Sequence, residues 1–157
     1  MSNTRARSRR GFSLLEVVIV VAIIAILAAI GIPRMSRGSR GANDAAVSGN
    51  LSVLRNAIDL FAAEHGGAFP TVASFADELT LYSDVSGGTS STKTGGYIYG
   101  PYLRSIPPLT VGPRKGQTGV AAADANDVGW IYTEGTGDIH ANTTTEEDDA
   151  GVLYVDY

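Results

Sequence analysis

The chain contains no cysteine, so neither a disulfide framework nor a thiolate metal site is available to it, and any exported domain must fold without cross-links. Histidine is scarce too: His65 and His140 are the two present, and neither stands in a His-Glu-x-x-His arrangement. Gly-x-Ser-x-Gly, P-loop and dinucleotide fingerprints are also missing. No acid, base and nucleophile converge in sequence, so both histidines read as surface or turn residues and no enzyme activity is expected. Positive charge is thin beyond the start. Residues 1–11 hold four arginines and no acid, but from residue 12 on eight basic side chains stand against sixteen acidic ones. Phosphate binding needs a basic face, so an acidic body argues against nucleic acid as a partner.

The mean hydropathy of +0.07 averages two unlike parts. Residues 17–32 carry no charge at all, whereas the remainder is rich in Gly, Thr, Ser and Asp. The length of 157 residues suits one modest domain with appendages. Without residues 1–32, what is left is a small soluble domain whose limited core needs support from a long helix.

The most specific information lies at the start. Arg5, Arg7, Arg9 and Arg10 precede Gly11-Phe12-Ser13-Leu14-Leu15-Glu16, and the apolar run Val17–Ile32 comes directly after. As a helix, Phe12–Ile32 would span about 31 Å, close to the roughly 30 Å of a bilayer core. The basic leader fits the cytoplasmic side. A cleaved secretory signal peptide accounts for the arginines and the apolar run, but not for a glutamate early in that run, nor for the missing Ala-x-Ala site. Ser8-Arg9-Arg10-Gly11-Phe12-Ser13-Leu14 approximates a twin-arginine export signal, to which the same objections apply. An ionised carboxylate at mid-helix in hydrocarbon costs on the order of 2.5–3.5 kcal/mol, and less near an end. Glu16 needs a reason to be there.

These residues together resemble the class III leader of type IV pilins and type II secretion pseudopilins, in which a basic leader ends in Gly, the mature chain begins with Phe and the fifth mature residue is Glu. Gly11, Phe12 and Glu16 take those positions, and Pro33 matches the family's helix-kinking proline. The resemblance implies cleavage after Gly11, N-methylation of Phe12 and a place in a helical filament. Glu16 would pair there with the Phe12 amine of a neighbouring subunit, a register device because a misplaced subunit leaves a buried charge alone. The helix dipole also favours a carboxylate one turn from the new terminus. The implied partners are a prepilin peptidase and N-methyltransferase, identical and related pilin-like subunits, a secretion platform with its ATPase, and inner-membrane lipid. The chain would cross the inner membrane once, N-terminus cytoplasmic and C-terminal domain periplasmic.

Gly31 and Pro33 soften the helix after the apolar run, and Gly38, Gly41 and Gly49 weaken its next turns. Arg34, Arg37 and Arg40 form a collar typical of a membrane boundary. Val47, Leu51, Leu54, Ile58 and Phe61 step by 4, 3, 4 and 3, one apolar stripe that should pack on a small sheet. Glu64-His65-Gly66-Gly67 stops the helix and Pro70 seals it. His65–Thr71 and Gly100–Pro107 resemble segments of the major pseudopilin group, but Pro108-Leu109-Thr110-Val111-Gly112 replaces that group's Asp-Pro-Trp-Gly turn, and beyond it the likeness is weak. Val72–Tyr82 has the spacing of a second helix, and Ser83–Gly96 reads as a mobile loop. Val128–Thr133 and Asp138–Asn142 read as strands around the turn Glu134–Gly137, with Trp130 and Tyr132 on opposite faces and one of them in the core. Thr143–Asp149 reads as a solvated acidic loop, and Val152–Tyr157 as either a last strand or a tail.

No cofactor is expected, calcium being the one cation with support. Asp124, Asn126 and Asp127 form an oxygen-rich loop, Glu134 and Asp138 lie further on, and calcium takes several such oxygens. Major pseudopilins often hold calcium near this end. An EF-hand is ruled out, since counting from Asp124 places Val128 fifth and Gly135 twelfth. The expected fold is α+β: leader 1–11, membrane and assembly half-helix 12–33, amphipathic half-helix 34–66, and a globular region 67–157 with a small antiparallel sheet. A type II secretion pseudopilus subunit is the leading reading, with a pilus pilin or minor pilin for adhesion or DNA uptake, and a membrane-anchored or exported periplasmic enzyme, as the alternatives.

Overall fold

The computed structural model describes residues 12–157, the side chains of residues 31–39 excepted. Gly11 and the leader, and the side chains of Pro33, Arg34 and Arg37, therefore lie outside the described residues. The chain divides into two compact units, Met1–Ser39 and Arg40–Tyr157. The long helix α1 covers Leu14–Glu64 and passes Gly41 and Gly49 without a break, a built Cβ meeting nothing within 4 Å at either position.

In the second unit, the stripe Val47, Leu51, Leu54, Ile58 and Phe61 is buried, none of the five more than 2 % exposed. Spacing of 3 and 4 keeps these side chains on one face, and that face is one wall of the core. Past Glu64 the backbone turns left-handed at Gly66 and Gly67, with φ of 67° and 90°. The Gly67 N–H donates to the Ala62 carbonyl at 2.8 Å, satisfying a last-turn acceptor that the helix leaves open.

Helix α2 covers Phe75–Thr80, shorter than the expected Val72–Tyr82 at both ends. The Thr71 and Val72 N–H groups are taken by the Glu78 and Glu134 carboxylates instead of helical carbonyls. At the far end, Leu81 is extended and Tyr82–Ser83 (β1) pairs antiparallel with Thr89–Ser90 (β2). The segment expected as a loop thus contains a hairpin, organised by Asp84, whose Oδ1 accepts the Ser86 and Gly88 N–H groups at 2.8 and 2.9 Å.

The three-stranded sheet runs β3 (Gly119–Ala121), β4 (Val128–Thr133), β5 (Asp138–Ala141) in that spatial order. β4 and β5 form the expected antiparallel hairpin, but β3 lies parallel to β4, so the sheet is mixed, not antiparallel. Parallel pairing normally needs a long crossover. Here β3 is only three residues long, so the chain has to travel back only about 7 Å at roughly 3.3 Å per residue, and Ala122–Asp127 suffices. The backbones come close at the ladder's irregular start. A Cβ on Gly119 would lie 2.3 Å from the Asp127 carbonyl oxygen, and one on Gly129 the same distance from that of Gln117.

Trp130 and Tyr132 are both fully buried, correcting the opposite-face expectation: residues two apart on a strand share a face. Their polar atoms are satisfied by loop carbonyls. Trp130 Nε1–H donates to Pro107 O at 2.8 Å and the Tyr132 hydroxyl to Pro70 O at 2.9 Å. Phe75 meets the Tyr132 ring edge-on at 4.6 Å between centroids. The C-terminal segment is neither strand nor free tail. It forms a 3-10 turn at Tyr154–Asp156 with Tyr154 buried, and Arg55 of α1 donates to the Ile139 and Tyr157 carbonyl oxygens. Thr143, expected in a solvated loop, is also buried.

Gly137 tests the β4–β5 turn. Its φ is +75°, and a Cβ would sit 2.6 Å from Phe69 Cε1, whereas a Cβ on Gly135 meets nothing within 4 Å. Gly137→Ala is expected to lower unfolding free energy by about 1–3 kcal/mol, and Gly135→Ala to change it by less than about 0.5 kcal/mol. Denaturant unfolding of the full chain in detergent measures both, and equal midpoints for the two variants would refute this account of the turn.

Candidate functional site

Every side chain from Phe12 to Ile30 is exposed. Phe12 is 82 % exposed, and Val17, Ile23 and Leu27 are each half exposed or more. A helix that is apolar on all sides has no face that prefers water, so its cover must come from outside the chain. Glu16 lies in the first turn of α1, where the N-terminal dipole favours a carboxylate. Among the described residues it pairs with no cation, and no helix is long and apolar enough to cross a membrane.

A second polar constellation surrounds Arg114. Its guanidinium holds Asp124 in a two-pronged pair, Nε to Oδ1 at 2.9 Å and Nη2 to Oδ2 at 3.0 Å, while Nη1 donates to Asn126 Oδ1 at 2.9 Å. Asn142, 7 % exposed, donates to Asp124 Oδ1 and to the Val128 carbonyl, both at 2.8 Å. The hydrogen bonds from Arg114 and then Asn142 hold the Asp124 carboxyl below its ordinary value, and the bond to Asp124 raises Arg114 in turn.

The five residues weighed for calcium are therefore not one cage. Asp124 and Asn126 turn their oxygens to Arg114, and Asp127 stands exposed beside them with its backbone carbonyl on Gly119 N–H. Glu134 accepts the Val72 N–H, and Asp138 accepts the Thr136 hydroxyl. Among the described residues no three acidic or histidine side chains gather to hold a metal ion. The residues present do not fit the cation: the Asp124 and Asn126 oxygens are already taken by the Arg114 guanidinium. The acidic run is likewise engaged locally, Glu146 Oε2 accepting the Thr144 and Thr145 N–H groups and Asp148 Oδ1 those of Ala150 and Val152.

His65 is buried, not a surface residue. Its ring stacks on Phe61 at 3.8 Å, and its two nitrogens face the Phe61 and Asp84 carbonyl oxygens at 2.8 and 2.9 Å. His140 is half-buried on β5, and burial and then Arg55 lower its pKa. Arg114 and Asn142 carried no local motif, since a clamp between residues 10 to 18 apart depends on how two loops return.

A long N-terminal helix whose second-unit stripe packs on a small mixed sheet is an α+β, pilin-like layout. Residues 6–32 match the family described as the prokaryotic N-terminal methylation motif, the class III prepilin leader. That match supports the type IV pilin and pseudopilin family, with processing by a prepilin peptidase and assembly with pilin-like subunits. No curated protein and no solved structure matches the chain.

The Arg114 clamp leads to two expectations. Arg114→Ala lowers the melting temperature, while a chelator such as EDTA leaves that of the wild type unmoved; a chelator-sensitive wild type would refute the clamp as the loop's fastener. A carboxyl held low stabilises the fold above its ordinary value of 3.8 and loses that contribution as pH falls through the lowered value. The difference between wild type and Arg114→Ala should therefore close on acidification, as read by thermal melts across that range.

Proposed function

We propose that this chain is a structural subunit of a type II secretion pseudopilus, made as a precursor, cut after Gly11, N-methylated at Phe12 and extracted from the inner membrane into a helical filament for protein export. The observation that carries this reading is the leader match over residues 6–32, which includes Gly11, Phe12 and Glu16. Cleavage removes four arginines and frees an α-amine on Phe12, so the cation that Glu16 needs exists only in the processed protein. The exposed apolar side chains from Phe12 to Ile30 support a segment covered first by lipid and then by neighbouring subunits. Its topology on this reading is a single pass, leader in the cytoplasm and globular unit in the periplasm, with the secretion platform and its ATPase as working partners. A type IV pilus pilin shares the leader. The preference for the pseudopilus rests on the likeness of His65–Thr71 and Gly100–Pro107 to major pseudopilins, segments in which Gly66 and Gly67 are left-handed and Pro70 and Ile106 are buried.

Mass spectrometry of the mature protein is expected to find N-methylated Phe12 as the first residue; a terminus after Ala28, Ala29 or Gly31 would mean an ordinary signal peptide. Glu16→Val should insert and be cut as the wild type is, yet fail to join wild-type filaments, and normal assembly by this variant would remove the register role. Deleting the chain should abolish export of a secreted protein while leaving surface pili intact, the reverse pattern marking a pilus pilin.

A further inference from the structure

A cavity of about 310 Å³ is walled by the end of α1, the turn after it, α2 and the β1–β2 hairpin, a volume that admits a small ligand or one side chain. Phe61, Ala68, Phe69 and Val85 form its apolar lining, and Glu78 supplies its carboxylate. Glu78 is 5 % exposed. Its Oε2 accepts the Thr71 N–H at 2.7 Å and its Oε1 the Thr71 hydroxyl at 3.1 Å. A carboxylate accepts about four hydrogen bonds, so each oxygen keeps an open position.

Among the described residues no cation makes an ion pair with Glu78, the one salt bridge being Arg114–Asp124. His65 lines the cavity, but both of its nitrogens face backbone carbonyls. The next carboxylate, Glu134 on the Val72 N–H, adds negative charge. Anchoring a backbone N–H does not require burial, since Glu134 does the same for Val72 from an exposed position. On the hairpin side the cavity is closed in by Gly87, with φ of +84°, where a Cβ would be in ordinary contact with Glu78 Oε1 at 3.7 Å.

We propose that this cavity binds a primary alkylammonium group, as carried by a lysine side chain or a small free amine, with the ammonium on Glu78 and its alkyl stem against Phe61 and Phe69. The ammonium would donate charge-assisted hydrogen bonds to the open positions of the carboxylate, the apolar lining would receive the stem, and a buried anion would gain a counter-ion. A calcium ion does not suit the site, because one carboxylate among aromatic walls falls short of six to eight oxygen ligands. This inference is independent of the filament reading.

The test is titration of the full chain, in dodecyl maltoside micelles, with n-butylammonium, with n-butanol and with Nα-acetyl-lysine methylamide, monitored by amide NMR shifts. Saturable shifts at Thr71, Gly87 and Phe69 are expected with butylammonium and not with butanol, and roughly tenfold weaker binding is expected in Glu78→Gln. Saturation by the lysine derivative as well assigns the cavity to a protein side chain, and saturation by butylammonium alone assigns it to free amines. No saturable shift with either amine, equal response to butanol, or unchanged affinity in a folded Glu78→Gln would each overturn the proposal. The amine-against-alcohol comparison on wild type decides the matter even if the variant does not fold.

Discussion

Nearly everything in the globular unit depends on one strip of helix surface. Val47, Leu51, Leu54, Ile58 and Phe61 are the largest continuous apolar face the unit has, and the sheet that meets it is too small to close a core alone: β3, β4 and β5 contain three, six and four residues. Trp130, Tyr132, Ile139 and Phe75 are buried in the same cluster as that strip. A sheet of this size with an uncovered face would be marginal in water, so the helix acts as the missing second layer. The strip is joined in that core by Ile106, Leu109 and Val111 from the segment before β3, so helix, sheet and loop close it together.

With so little regular sheet, the long connections need other fasteners, and the chain uses side chains bonded to backbone. Trp130 and Tyr132 reach out of the core to hold the Pro107 and Pro70 carbonyls. Glu78 and Glu134 hold the N–H groups of the turn before α2, Asp84 closes the hairpin turn, and Asn142 ties the end of β5 to both Asp124 and Val128. Each bond is worth about 1 kcal/mol net. Their effect is to select one path for loops that glycine and serine would otherwise leave with many.

These fasteners mark the boundary of what could be read in advance. The stripe of α1, its glycine stop and the β4–β5 hairpin were legible because each rests on spacing or turn chemistry within a few residues. The parallel β3 was not, since Gly119-Val120-Ala121 has no alternation and pairs only because Gly119 and Gly129 permit close backbone approach. The oxygen-rich loop at Asp124 looked like cation-binding material for a sound reason, since its oxygens do converge. What converged on them was Arg114, ten residues earlier in the chain, and composition cannot tell a guanidinium clamp from a metal ligand set. His65 misled in the opposite direction: a histidine at a helix end usually faces water, but the β1–β2 hairpin returns over it and delivers the Asp84 carbonyl to its ring.

Charge placement separates the two units by what can answer it. In the globular unit, Asp124 has its cation within the chain and solvent screens the other exposed carboxylates, so changing one exposed pair alters stability slightly, with buried Glu78 as the exception. In the apolar segment there is no such relief. Glu16 is the one ionisable side chain among exposed hydrocarbon from Phe12 to Ile30, and in a low-dielectric setting an uncompensated carboxylate costs far more than a missing surface contact. An environment that covers this segment and supplies a positive group at that one depth is therefore favoured over one that does not. Under the proposed processing, a second chain cut after Gly11 would supply that group at its free terminus, one helical turn from its own Glu16. On that reading, a penalty at one point and relief at one offset would define an axial step between neighbouring chains, which uniform hydrophobic contact along the segment would leave free to slide.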